Sequence, residues 1–185
     1  MDKKKILLLT TGGTIASLPG GEGLEPRRSE VMELALDQLR NFYDITVDDV
    51  MCLDSSNITP EEWQLIARHI FDRREGFDGI VVSHGTDTMA YTASAVTFML
   101  PDIDLPVVFT GSQLPLADML SDGPSNLRTA FAMAASTSNT AGFNPGVSFN
   151  RKISRLISGQ KRASPRCTGS TASSTTRPRL VTWAA

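Results

Sequence analysis

Four short runs of this chain set hydroxyls, carboxylates and glycines directly after an apolar stretch, a combination suited to chemistry on a small polar molecule. They are Thr11-Gly12-Gly13-Thr14, Asp54-Ser55-Ser56-Asn57, His84-Gly85-Thr86-Asp87-Thr88 and Thr110-Gly111-Ser112-Gln113. Thr14 and Thr86 offer hydroxyls, weak nucleophiles until a neighbour takes the proton. Asp54 and Asp87 offer carboxylates. Gly12 and Gly13 let backbone N–H groups approach a ligand closely, and Gly85 lets the backbone turn sharply between strand and helix. Each run alone has a plainer explanation: a helix cap for Thr86 or Asp87, a simple turn for Gly12-Gly13, an Asx-type turn for Asp54–Asn57. Four such runs at successive strand ends point instead to one shared site.

The elements that must position these runs follow from the hydrophobic pattern. Lys3 to Thr10 reads as a central strand ending at the first run. Residues 18–28, with Pro19, Gly20, Gly21, Gly23 and Pro26, read as a flexible loop beside it. Ser29 to Leu39 reads as an amphipathic helix with Ser29 as its cap and Val31, Met32, Leu34, Ala35 and Leu39 apolar. A strand over Ile45–Leu53 leads to the second run. Thr59 then caps a helix with Pro60 at its first position, Glu62 closing the box, and Trp63, Ile66, Ala67 and Ile70 on its apolar side. Gly79-Ile80-Val81-Val82 has the unbroken apolar pattern of a strand covered on both faces. It delivers the third run to a helix using Met89, Ala93, Val96, Phe98 and Leu100 and stopping at Pro101. Leu105–Phe109 leads to the fourth run, and Asp122–Ala135 forms a last helix with Leu127, Ala130, Phe131 and Ala134 apolar. Strands alternating with helices predict an α/β fold: an open parallel sheet of about four or five strands with helices on both faces. Ligands of such sheets bind at the carboxyl ends of the strands, near unpaired helix N–H groups.

Composition narrows the class. The 185 residues are 41% hydrophobic with a net charge of −2, enough for a core and pointing to no particular partner. That average hides a break: residues 1–150 carry all 20 acidic residues and 10 basic ones, while residues 151–185 carry 8 basic residues, 11 Ser and Thr, and no acid. Such a shift marks a domain edge, a disordered tail or an artificial segment. As a nucleic-acid-binding tail it lacks aromatic interleaving, Trp183 being its one aromatic residue. Cys52 and Cys167 form neither a disulfide framework nor a metal pair. His69 and His84 have no partners at ligand spacing, so no metal is expected. No stretch has the length of a membrane span, and the apolar run Ile6–Leu9 is far shorter than a signal-peptide core. Gly12-Gly13 lacks the third glycine and acidic follower of a dinucleotide fingerprint, and there is no P-loop, so no cofactor is expected.

Leu9-Thr10-Thr11-Gly12-Gly13-Thr14-Ile15-Ala16 resembles the first signature of the bacterial-type L-asparaginases, and Gly79 through Met89 resembles their second. Asp54-Ser55-Ser56, followed by Thr59-Pro60 and Trp63, is similar to the substrate loop of the cytoplasmic type I branch. Thr110-Gly111-Ser112-Gln113 and Ser121-Asp122-Gly123 with Asn126 also fit, so the resemblance covers roughly residues 4–150. It implies hydrolysis of L-asparagine to L-aspartate and ammonia, with L-glutamine as a second candidate substrate. By resemblance Thr14 is the nucleophile that forms an acyl-enzyme, and Thr86 belongs to a second hydroxyl group assisting the attack or the water. Asp87 holds the substrate's α-ammonium, while Asp54, Ser55 and Ser56 fix its α-carboxylate end. Gly13 and Gly85 supply the backbone around the oxyanion. A cytoplasmic homo-oligomer without nucleic-acid or membrane partners is the corresponding expectation.

Two departures accompany the resemblance. Leu24 stands on the flexible loop where the family often has Tyr. After Phe149-Asn150-Arg151-Lys152-Ile153 the pattern ends, without the family's basic stretch whose Lys partners the second Thr; Lys161 has the right distance but other neighbours. The expected organisation is an asparaginase-like N-terminal domain over residues 1–153 and a basic Ser/Thr-rich segment over 154–185, disordered or read out of frame. A chain truncated in this way would leave, as the alternative, a module that binds an amino acid or anion without turning it over.

Overall fold

A computed structural model of the chain describes residues 2–13, 15, 17–20, 23–26, 30–101, 103–136, 146–149 and 152–155. Its strands are β1 (Lys4–Gly12), β2 (Ser17–Gly20), β3 (Gly23–Pro26), β4 (Tyr43–Leu53), β5 (Gly79–Ser83), β6 (Val107–Thr110), β7 (Gly146–Phe149) and β8 (Lys152–Arg155). Four helices intervene: α1 (Glu30–Arg40), α2 (Pro60–Arg73), α3 (Met89–Met99) and α4 (Gly123–Ala134). Six strands form one sheet in the order β4-β1-β5-β6-β7-β8. The first five run parallel, and β8 turns back antiparallel to β7. The fold is the expected α/β class.

Alternation along the strands explains why helices cover both faces. Side chains one residue apart point to opposite sides of a sheet. Ile6, Leu8, Val81 and Val108 face α1 and α4, meeting Met32, Leu36, Leu127 and Phe131. Leu7, Leu9, Ile80, Val82, Val107 and Phe109 face α2 and α3, meeting Ile66, Ile70, Ala93 and Val96. The register sets Leu8 beside Val81 and Val81 beside Val108, so each face forms a continuous apolar band. Both bands are dry, as unbroken apolar strands require.

Three local expectations are corrected. Part of the stretch read as a flexible loop is an antiparallel hairpin, with Ser17 paired to Pro26 and Gly20 to Gly23. In α1 the buried stripe is Met32, Leu36 and Leu39, at helical spacing, while Leu34 is exposed. In α3, Phe98 is 67% exposed, because two residues beyond the buried Val96 a helix has turned to its outer side. The α2 start is as expected: the Glu62 carboxylate accepts the Thr59 N–H at 2.7 Å and the Thr59 hydroxyl at 2.5 Å. Thr14, Ser29, Asn150, Arg151, Lys161 and Cys167 lie outside the described residues, as does all of 156–185.

Candidate functional site

Because β4, β1, β5 and β6 are parallel neighbours, their carboxyl ends bring the four polar runs side by side at one edge of the sheet. The runs are in contact. A Cβ placed on Gly13 would stand 2.5 Å from the Gly85 nitrogen and 2.6 Å from its Cα, so only glycine admits this approach. Gly13 also has φ +83°, a left-handed conformation that other residues rarely adopt. On the far side of the same peptide, a Cβ on Gly85 would stand 2.5 Å from the Ser55 Cβ and collide with its Oγ. Gly13, Gly85 and Ser55 thus stack across three strand ends.

The polar contacts follow from that stacking. Ser56 donates its hydroxyl to Oδ2 of Asp87 at 3.3 Å, across 31 residues of sequence. Both residues are exposed, on the open side of the site. Asp54 braces its own turn. Its Oδ1 accepts the Ser56 N–H at 2.8 Å, the Asx geometry that starts a 3-10 turn over Ser55–Asn57. Asp54 therefore orients Ser56. Ser55 is buried, its side chain against Gly85. Thr86 is half-buried, its methyl group 3.4 Å from where a Cβ on Gly111 would stand. On the first strand, the Thr11 hydroxyl donates to the Ser83 carbonyl at 2.9 Å and ties β1 to β5 just below the site. Thr14 lies outside the described residues; its neighbours Gly13 and Ile15 are, respectively, packed on Gly85 and buried in the core.

His84 is fully buried, with its ring edge-on to Phe109 at 6.3 Å. Its Nδ1 donates to the Gly85 carbonyl at 2.7 Å, which fixes the tautomer because a carbonyl only accepts. Nε2 is buried and has no hydrogen-bond partner among the described residues. Burial pushes the His84 pKa below the usual imidazole value, a shift only partly countered by the Gly85 carbonyl. A neutral imidazole fits this setting.

Sequence reasoning gave no role to a second layer of polar residues behind the site. Asp122 Oδ1 accepts the N–H groups of Gln113 at 3.0 Å and Leu114 at 3.3 Å. Its Oδ2 accepts from Asn126 Nδ2 at 2.9 Å, and the same amide donates to the Gly111 carbonyl at 2.9 Å. Gly111 in turn packs on the His84 carbonyl. The signal for this brace was present as Asp and Asn four residues apart at a helix start, a spacing that puts both on one face. No cluster of three or more His, Cys, Asp or Glu suited to a metal occurs among the described residues, and no described helix is long and apolar enough to cross a membrane.

A parallel α/β sheet with clustered threonine, serine and aspartate at its carboxyl edge defines a class of small-molecule-binding domains. The chain belongs to the asparaginase family: the model for "Asparaginase, N-terminal" matches residues 5–182. It is 45% identical over 132 residues to an L-asparaginase of Thermococcus kodakarensis, covering 70% of this chain and 40% of that protein. It is likewise 45% identical over 142 residues to L-asparaginase 1 of Escherichia coli, covering 73% of this chain and 41% of that one. Among solved structures, a probable cytoplasmic L-asparaginase from Campylobacter jejuni superposes with a TM-score of 0.71 at 35% identity, covering 82% of this chain and 46% of the other. The chain spans about 40% of the length of these curated relatives.

Proposed function

We propose that this domain serves hydrolysis of the side-chain amide of L-asparagine, giving L-aspartate and ammonia. The observation that carries the reading is the stacking of Gly13, Gly85 and Ser55, which brings the residue before Thr14 against the loop bearing Thr86 and Asp87. The Thr14 hydroxyl oxygen attacks the amide carbon, its proton relayed through the hydroxyl system that includes Thr86 to the departing amide nitrogen. The carbonyl oxygen becomes an oxyanion facing backbone N–H groups of the Gly13 and Gly85 turns. Ammonia leaves, an aspartyl ester remains on Thr14, and water cleaves it. Asp87 holds the α-ammonium: among the described residues Ser56 bonds to Oδ2, leaving Oδ1 for the substrate. Asp54, Ser55 and Ser56 receive the α-carboxylate end, with Asp54 also orienting Ser56. L-glutamine, one methylene longer, is the competing substrate.

The same reading assigns the site-bearing domain to residues 1–153 and expects a homo-oligomer in the cytoplasm, the compartment named for the probable cytoplasmic L-asparaginase of Campylobacter jejuni. No role is assigned to residues 156–185.

A second reading, binding of an amino acid or anion without turnover, is favoured by the lysines of the first strand. Lys3, Lys4 and Lys5 stand at the amino end of β1, the opposite edge of the sheet from Thr86, and none of these three supplies Thr86 with a base. Ammonia release from L-asparagine and from L-glutamine, with Thr14→Ala as control, separates the readings. Release that depends on Thr14 supports hydrolysis. Saturable L-aspartate binding without release supports the binding module.

A further inference from the structure

The helix that follows the central run starts on a residue that does not serve it. Thr88 is the N-cap of α3, yet its side chain makes no capping bond. A threonine in this position ordinarily satisfies one of the unpaired N–H groups of the first turn. Here its Oγ1 donates instead to the Ser55 carbonyl, 33 residues away, at 2.8 Å. That carbonyl already accepts the Ile58 N–H at 3.2 Å, so Thr88 occupies its second lone pair. One turn further along α3, Thr92 is fully buried, and its Oγ1 accepts the Trp63 indole N–H at 3.0 Å. Residues four apart share a helix face. This face of α3 therefore grips the β4–α2 segment twice, at the substrate loop and at the first turn of α2.

We propose that Thr88 is a positioning residue: it holds the Ser55 carbonyl so that Ser56 stays opposite Asp87, and thereby sets the amino-acid-binding half of the site. This rests on the reading of Ser56 and Asp87 as ligand-binding groups. Without the Thr88 bond, the turn over Ser55–Asn57 keeps the Asp54 contact to Ser56 and the local bonds Asn57 N–H to Asp54 O and Ile58 N–H to Ser55 O. None of these ties it to α3. Thr88 trades a local cap for a long-range clamp.

Two variants of the full chain test this. Thr88→Val keeps the shape and removes the donor, whereas Thr88→Ser keeps the donor. In amide hydrogen exchange, Thr88→Val is expected to speed exchange at Asn57 and Ile58 by about tenfold, the effect of one neutral hydrogen bond, with Thr88→Ser restoring protection. The Thr92 amide, bonded to the Thr88 carbonyl, stays unchanged in both. Faster exchange at Thr92 with Asn57 and Ile58 unaffected would make Thr88 an ordinary cap and overturn the proposal. The second readout is L-aspartate titration: Thr88→Val raises Kd by about tenfold and Thr88→Ser recovers it. Thr97→Val serves as the control, since it removes a buried hydroxyl bonded at 2.7 Å to Ala93 O within α3, and it should lower Tm without moving Kd. An unchanged Kd in Thr88→Val also overturns the positioning role. If the wild-type chain does not bind L-aspartate, the amino-acid-binding reading fails, and exchange at Asn57 and Ile58 alone upholds or overturns the clamp.

Discussion

Gly13 and Gly85 meet back to back at the carboxyl ends of β1 and β5, with the Gly85 nitrogen 2.5 Å from where a Cβ on Gly13 would be. Neither position has room for a methyl group. Gly85→Ala drives a methyl into Ser55 and is expected to cost about 1–3 kcal/mol, the usual range for overpacking. It should also abolish L-aspartate binding by displacing Ser56 from Asp87. Thermal unfolding measures the first effect and titration calorimetry the second.

Asp87 is exposed and, among the described residues, is bonded through one oxygen, to Ser56. Asp87→Asn should therefore leave stability within about 0.5 kcal/mol of wild type. Its effect falls on the ligand: losing a charge-assisted bond to an ammonium weakens L-aspartate binding roughly 10- to 100-fold. Isothermal titration of both proteins, alongside their melting curves, checks the two halves together.

His84 makes stability depend on pH in a defined window. Burial lowers its pKa in the folded chain, so below the ordinary value of 6.5 the unfolded chain binds a proton that the folded chain refuses. Stability is thus fully present above pH 6.5 and falls as pH drops toward the lowered folded pKa, by at most about 1.4 kcal/mol per pH unit. The Glu61, Glu62 and Asp78 carboxyls, held low mainly by hydrogen bonds from Thr59 and Lys4, add their own losses only below about pH 4.5. His84→Gln should flatten the upper part of the curve and leave the lower part in place. Urea denaturation between pH 7 and pH 5 measures this, and identical slopes in both proteins would contradict it.

Asn126 is 1% exposed and spans two acceptors, Gly111 O and Asp122 Oδ2. Removing its amide leaves the buried Gly111 carbonyl short of a donor, a loss of about 1–3 kcal/mol. Asn126→Ala is expected to lower Tm accordingly and to loosen the Gly111–Leu114 loop, seen as faster exchange at Gln113 and Leu114. Protection there that matches wild type would show that Asp122 holds the loop alone.

Much of this arrangement is legible in the residues, and the limits are physical. Unbroken apolar runs at Ile6–Leu9, Ile80–Val82 and Val107–Phe109 announce strands buried on both faces, and a run of polar residues after each one marks the site edge. What periodicity cannot show is which strands become neighbours. The Ser56–Asp87 and Thr88–Ser55 bonds exist because β1 lies between β4 and β5, a choice made by tertiary packing. The hairpin of β2 and β3 escaped for another reason. Pro19, Gly20, Gly23 and Pro26 have low strand propensity, and its ladder pairs Pro19 with Leu24 regardless. Phe98 reads as core-facing from its apolarity alone, and its angular position two residues past Val96 turns it outward.

The proposed hydrolysis turns on Thr14 as its nucleophile. The most direct test is the time course of ammonia release from L-asparagine by the wild-type chain and by Thr14→Ala, with L-aspartate binding measured on both. The expected result is release by the wild type, loss of release in the variant, and unchanged L-aspartate affinity, since Asp87 and Ser56 hold the ligand. Equal release from both proteins would contradict a Thr14 nucleophile, and binding without release by the wild type would assign the chain to the non-catalytic reading.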